Sequence, residues 1–210
     1  MHTTKQLGFT LMEVLVSIFV LALGVIGVAG MQLMAMRNSQ TSNYQTIAVQ
    51  LATELADNMR SNAAAMNQND SSNPFIFDYN AATDSAPTAP TKKCYTSTDC
   101  SASELAEFDI YLWKLRLTGQ IKDAGGKVVG ATGLPGGRVK VCRDKKPYDS
   151  GSLTWDCTAP LTGGVNSPMV IKVGWQGRGT NPDGSKNTSS TSDYPPSVAI
   201  TVESYVNPTQ

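Results

Sequence analysis

Four cysteines and one isolated glutamate are the residues whose type and spacing carry chemistry in this chain. Cys94, Cys100, Cys142 and Cys157 allow three disulfide pairings. The economical pairing joins Cys94 to Cys100 and Cys142 to Cys157, closing loops of about 7 and about 16 residues worth ~2 and ~3 kcal/mol of unfolded-state entropy. A zinc site built from all four thiolates is the rival use of the same residues, but such sites hold cysteines in pairs separated by about two to four residues. Neither gap here is that short. If the domain lies outside the cytoplasm, disulfides are the expected state.

Other chemistry has little to work with. The only histidine among 210 residues is His2, at the extreme N-terminus, so a His base or a His-ligated metal lacks its central group. Lys plus Arg and Asp plus Glu each number 17, and a formal charge of zero removes the electrostatic case for a dedicated nucleic-acid binder. With no nucleophile–base pair or metal cluster, the expectation is a non-enzyme without cofactors, metal or small-molecule substrate. Gly179–Lys186 ends in Ser-Lys, the reverse of the phosphate-loop order. Asn181, Asp183 and Ser185 alternate like part of a calcium loop but lack its closing glutamate, and read as a solvated turn. The sequons at Asn69 and Asn187 carry meaning only in a glycosylating host.

Glu13 is unusual because it opens a long apolar run. Val14 to Met31 reads VLVSIFVLALGVIGVAGM with Ser17 its one polar side chain, and the first later charge is Arg37. About 20 residues at ~1.5 Å each cross a ~30 Å hydrocarbon layer. A soluble core helix would carry a polar face, and this one carries none. The mean hydropathy of −0.19 hides this segment by averaging it with a polar remainder. A charge placed at the bilayer centre costs roughly 2.5–3.5 kcal/mol, so Glu13 implies a partner. A secretory signal with a cut near Val28-Ala29-Gly30 is the competing reading, but its apolar core would span only about 7–15 residues. The spacing of Gly24, Gly27 and Gly30 is open to two readings: a stretch of helix that loosens easily, or close helix–helix contact.

Beyond Arg37 the helical pattern persists. Tyr44, Ile47, Ala48, Leu51, Ala52, Leu55, Ala56 and Met59 fall on one face, opposite Gln45, Gln50, Thr53, Glu54, Asp57 and Asn58. Without Pro or Gly between Met31 and Asn62, one helix from about Phe9 to about Asn62 is expected, ~80 Å long. Residues 67–91 read as an irregular connection in which Phe75, Phe77 and Tyr79 either form one short strand or pin the loop. Ser101 and Glu104 form a capping box opening a helix to about Thr118, with Leu105, Phe108, Tyr111, Leu112 and Leu115 as its inward face and Trp113 and Lys114 off it. Residues 119–137 are turn-rich. Strands are expected at 138–142, 168–175 and 197–205, with 177–196 a hairpin loop. The fold class is therefore α+β: a long N-terminal membrane-spanning helix continuing into a small head with a second helix and an antiparallel sheet.

Gly8-Phe9-Thr10-Leu11-Met12-Glu13, followed by Val14-Leu15-Val16, resembles the leader junction and N-terminal helix of type IV pilins and pseudopilins. The resemblance implies that a prepilin peptidase cuts between Gly8 and Phe9 and methylates the new Phe9 amine. It also implies that Glu13 assists assembly by pairing with the terminal amine of a neighbouring subunit; an ammonium within about 4 Å offsets the cost of a buried carboxylate. Two positions depart from the common pattern: Leu7 replaces a basic residue, leaving Lys5 alone in the leader, and Gly30 stands where many major pilins have proline. Later segments, Leu105–Asp109 through Trp113, Leu134–Gly137, Val139–Cys142 and Val173–Arg178, resemble the PilV branch, minor pilins known as type IV pilus modification proteins.

The resemblance implies residues 1–8 as a cleaved leader, 9–36 as a transmembrane and filament-core helix, and 37–210 as a periplasmic head. It further implies single-pass residence in the inner membrane, incorporation into a pilus, and other minor pilins and the major pilin as partners. Lys5 inside against Arg37 outside gives the orientation only slight support of its own. The alternatives are a minor pseudopilin of type II secretion and a secreted or tethered binding domain with no filament role.

Overall fold

The computed structural model describes residues 8, 10–94, 99–121, 127–129, 133–157, 167–177 and 194–203. Helix α1 runs from Leu11 to Ser61, followed by α2 at Ala63–Met66, strand β1 at Phe77–Asn80, and helix α3 at Ala102–Leu117. Five strands come next: β2 (Arg138–Arg143), β3 (Tyr148–Asp149), β4 (Ser152–Leu153), β5 (Met169–Gly174) and β6 (Val198–Val202). The chain divides into two compact units, Met1–Asn43 and Tyr44–Gln210.

In the second unit, β1, β2, β5 and β6 form an antiparallel sheet in the order β1-β2-β5-β6. Val141 pairs with Ile171 and Val139 with Val173, while Ile171 pairs with Ile200. Side chains alternate across a strand, and this register stacks Val139, Val141, Ile171 and Val173 on one face, where all four join the main apolar cluster. The second half of α1 supplies Ala48, Leu51, Ala52, Leu55, Ala56 and Met59 to the same cluster. These buried positions are the stripe expected from the 3.6-residue period, with Tyr44 and Ile47 packed half-buried at its edge. Asn62 ends α1 and caps α2: its side-chain oxygen accepts from the Ala65 N–H at 3.2 Å, and its amide donates to the Ala102 carbonyl at 2.7 Å.

Helix α3 begins as the capping box requires. Ser101 Oγ accepts from the Glu104 N–H at 3.3 Å, and Glu104 accepts from the Ser101 N–H at 2.8 Å. Its inward face departs from the expected one. Ala106, Phe108, Ile110, Trp113 and Leu117 are buried, whereas Leu105 and Leu112 are 40% and 36% exposed. The cause is the Trp113 indole, which is apolar except at one N–H and donates that N–H to the Leu51 carbonyl of α1 at 2.8 Å. Turning the helix to seat it carries Leu105 and Leu112 outward.

The opposite sheet face is covered too, since all six residues of β5 are buried. There Val170 lies beside Cys142 across the ladder, and Lys172 projects between them and the segment that links β2 to β5. That segment holds a hairpin that the sequence pattern does not reveal: β3 and β4 pair through Ser150 and Gly151, whose φ angles of 51° and 85° match the two-residue turn that antiparallel strands favour. The expected strands are present with shifted ends: β2 runs one residue past the expected 138–142, and the other two are shorter. Pro168 and Trp175 flank β5, β6 ends at Val202, and position 205 lies outside the described residues, as does most of the expected 177–196 loop. Phe75, Phe77 and Tyr79 divide their roles, Phe75 being fully buried ahead of β1 and the other two lying within it.

Candidate functional site

The chemistry singled out at the N-terminus lies in the first turn of α1. Gly8 is exposed, and Phe9, Lys5 and the rest of residues 1–7 lie outside the described residues. Thr10 starts the helix: its carbonyl accepts from the Glu13 and Val14 N–H groups at 3.0 and 3.3 Å, and its hydroxyl accepts from the Glu13 N–H at 3.3 Å. A carboxylate in a first turn interacts favourably with the positive end of the helix dipole, and Glu13 holds that place. Among the described residues its carboxylate makes no hydrogen bond or salt bridge.

The next turns expose their apolar side chains on every side. Leu11 is 84% exposed, and Leu21, Val25, Ile26 and Met31 are also largely open. An 18-residue window of this helix has a mean hydropathy of 2.7 with none of it buried, so α1 is long and apolar enough to cross a membrane. The polar groups inside the stretch are neutralised locally: Ser17 donates its hydroxyl to the Glu13 carbonyl at 2.7 Å. In lipid this matters, because an unpaired hydroxyl there has no water to bond. The helix passes without a break through Gly24, Gly27 and Gly30, and a methyl group at any of the three would touch nothing within 4 Å among the described residues. Among the described residues no contact requires those glycines. With Val20, Val28 and Ala29, Gly24 borders a shallow apolar groove of about 390 Å³.

The four sulfurs are joined pairwise, Cys94 to Cys100 and Cys142 to Cys157, with Cα–Cα distances of 5.9 and 6.3 Å. No thiolate remains to hold a metal. The first bridge sits just ahead of α3, where Lys92 pairs with Glu104 at 3.0 Å and donates to the Asp99 carbonyl at 3.1 Å. The backbone and lysine hydrogen bonds hold the Glu104 carboxyl below the usual carboxylate range. The second bridge closes the segment over Lys172.

A feature that sequence reasoning missed lies under that segment. Lys172 and Asp144 are both fully buried, with Nζ 2.6 Å from Oδ2, and Nζ also donates to the Asp156 carbonyl at 2.5 Å. Trp155 completes the cover, its ring 4.4 Å from the Arg138 guanidinium and its indole N–H donating to the Tyr194 carbonyl. Tyr194 in turn donates its hydroxyl to Gly136 O, and burial pushes its pKa up to about 12 against the opposing pull of Arg138. The only sequence signal was one lysine inside an otherwise apolar strand. The phosphate-loop and calcium-loop candidates at 179–186 and the Asn187 sequon lie outside the described residues, whereas Asn69 is exposed in a turn.

An apolar anchor helix that opens with a carboxylate and leads into a disulfide-bonded α+β head defines a class of membrane-anchored subunit. Comparison with known families agrees: residues 3–29 match the prokaryotic N-terminal methylation motif, and residues 30–111 match the type IV pilin Tt1218-like family. Together the two matches support the type IV pilin superfamily for this chain. Residues 112–210, which include β2 to β6, lie beyond both. No curated protein and no solved structure gave a significant match.

Proposed function

We propose that this chain is a minor type IV pilin of the PilV kind, a structural subunit that takes part in priming pilus assembly. A prepilin peptidase removes residues 1–8 and methylates Phe9, residues 9–36 hold the subunit in the inner membrane, and the head from residue 37 faces the periplasm. Extraction into the filament then exchanges lipid contacts for contacts with the helices of the major pilin and sibling minor pilins. The observation that carries this reading is an N-terminal stretch of α1, residues 11–36, that is apolar on all sides and whose one carboxylate, Glu13, has no partner among the described residues of its own chain. The glycines of α1, which no contact among the described residues requires, supply backbone surface that a neighbouring helix can approach closely.

Intact-mass measurement of protein purified from membranes tests the processing step, with N-methylated Phe9 as the expected first residue. A mature chain starting at Met31 would instead make it a cleaved secretory protein. Glu13→Ala is expected to insert into the membrane normally yet enter pili at least about tenfold less, because a partner ammonium loses its counter-charge in a low-dielectric core. Wild-type incorporation of that variant would remove Glu13 from the assembly role.

A further inference from the structure

The head carries an open groove of about 520 Å³ between β1 and the outward face of α3, within the size range of small-ligand clefts. Its walls include Phe77, Tyr79 and Tyr111, with three prolines, Pro74, Pro87 and Pro90, along the edges. Phe77 and Tyr111 are half-buried, which leaves part of each ring surface free.

The polar groups in this groove set its chemistry. Lys114 Nζ sits 4.7 Å from the Phe77 ring centre and 5.0 Å from that of Tyr79, and among the described residues it forms no hydrogen bond or salt bridge. Burial holds its pKa below the usual lysine value, with Asp84 pulling the other way. Glu107 lines the same groove, exposed, and likewise has no hydrogen-bond or salt-bridge partner among the described residues. Asp84, the third charge, is already engaged: it accepts from the Asn80 N–H at 2.7 Å and from the Thr83 hydroxyl at 3.2 Å. Glu107, Tyr111 and Lys114 have i, i+4, i+7 spacing on one face of α3. A spare acceptor and a spare donor therefore stand about 10 Å apart along the helix with an aromatic ring between them.

Each ligand class meets this arrangement differently. An anion would face Glu107 and Asp84, and a cation would face Lys114. A wholly apolar ligand would strip water from Lys114 and Glu107 without replacing it, which opposes its binding. A neutral polyhydroxylated ligand answers both groups, because each hydroxyl both donates and accepts, and the C–H face of a sugar ring packs on aromatic side chains. We propose that the groove bounded by β1 and α3 binds a neutral oligosaccharide, with rings against Phe77 and Tyr111 and hydroxyls bridging Glu107 and Lys114.

The test uses the full chain in lipid nanodiscs, free of sugar-based detergent, on a printed array of neutral, carboxylated and sulfated oligosaccharides. Binding is expected on neutral members, and both Tyr111→Ala and Glu107→Gln should weaken it at least about tenfold. Glu107 is exposed, so its amide variant folds whether or not the tyrosine variant does. Three results would each overturn the proposal: no binding anywhere on the array, binding confined to acidic glycans, and binding unchanged in Glu107→Gln. None of them bears on leader processing or Glu13, which are read from the other end of the chain.

Discussion

Lys172 and Asp144 show how much one pair of residues decides. Both are fully withdrawn from water, and the lysine satisfies two of its three donors on Asp144 and on the Asp156 carbonyl. Breaking such a pair from one side leaves a bare charge in the interior, a loss of about 3–5 kcal/mol, whereas replacing both partners costs far less. Asp144→Asn and Lys172→Met are therefore each expected to lower the head's stability by several kcal/mol, and the double variant by less than their sum. Denaturant unfolding followed by the fluorescence of the three tryptophans, Trp113, Trp155 and Trp175, measures this, and additive losses would mean that the charges do not act as a pair. The sequence showed Lys172 only as a polar interruption in Met169–Gly174, because its partner sits 28 residues earlier. Glu13 is the opposite case. It stood out at once, since any charge in an apolar run is conspicuous without knowledge of the fold.

Helix α3 shows what local signals achieve at the scale of an element. Ser101 and Glu104 marked its start within the chain, and the capping box formed there. Glu104 has its pKa lowered chiefly by the Ser101 backbone N–H and then by Lys92. A carboxyl whose pKa is lower folded than unfolded contributes stability above its ordinary value of 4.5, and loses that contribution as pH falls through the folded value. Amide protection in the first turn of α3, taken relative to the intrinsic exchange rate at each pH, is therefore expected to fall below about pH 4.5 in the wild type, and Glu104→Gln should lack that step. Ser101→Ala should cost about 1 kcal/mol at neutral pH. Which face of α3 turns inward was not legible in the same way. Periodicity favoured Leu105, Phe108, Tyr111, Leu112 and Leu115, and the structure instead buried Trp113 against α1. Two apolar stripes ran along the helix, and only a hydrogen bond to a carbonyl 62 residues away selected between them.

At the scale of the whole chain, α1 contributes to both compact units under different physical rules. Up to Asn43 it exposes apolar side chains and needs lipid or other helices around it; from Tyr44 onward it carries the stripe that fills the head's core. A chain starting at Tyr44 is expected to be soluble, to unfold cooperatively and to keep both disulfides. One starting at Asn62 should fail to fold, having lost Ala48, Leu51, Ala52, Leu55, Ala56 and Met59 from the cluster. Circular dichroism with thermal denaturation distinguishes the two, and cooperative unfolding of the shorter chain would mean that α1 is not the head's central element.

Properties written in short windows of residue type could be read directly: the anchor segment, the α1 stripe, the start of α3, three of the strands and the economical cysteine pairing. Hydrophobic transfer, helix capping and strand alternation act over a few residues, so their signals survive in a bare string of letters. The inward face of α3, the buried ion pair, the β3–β4 hairpin and the groove in which Lys114 of α3 meets the rings of β1 depended on residues far apart in the chain meeting in space. Those meetings arise from the competition of large side chains, Trp113 above all, for one limited interior, and that competition is settled only when the chain packs.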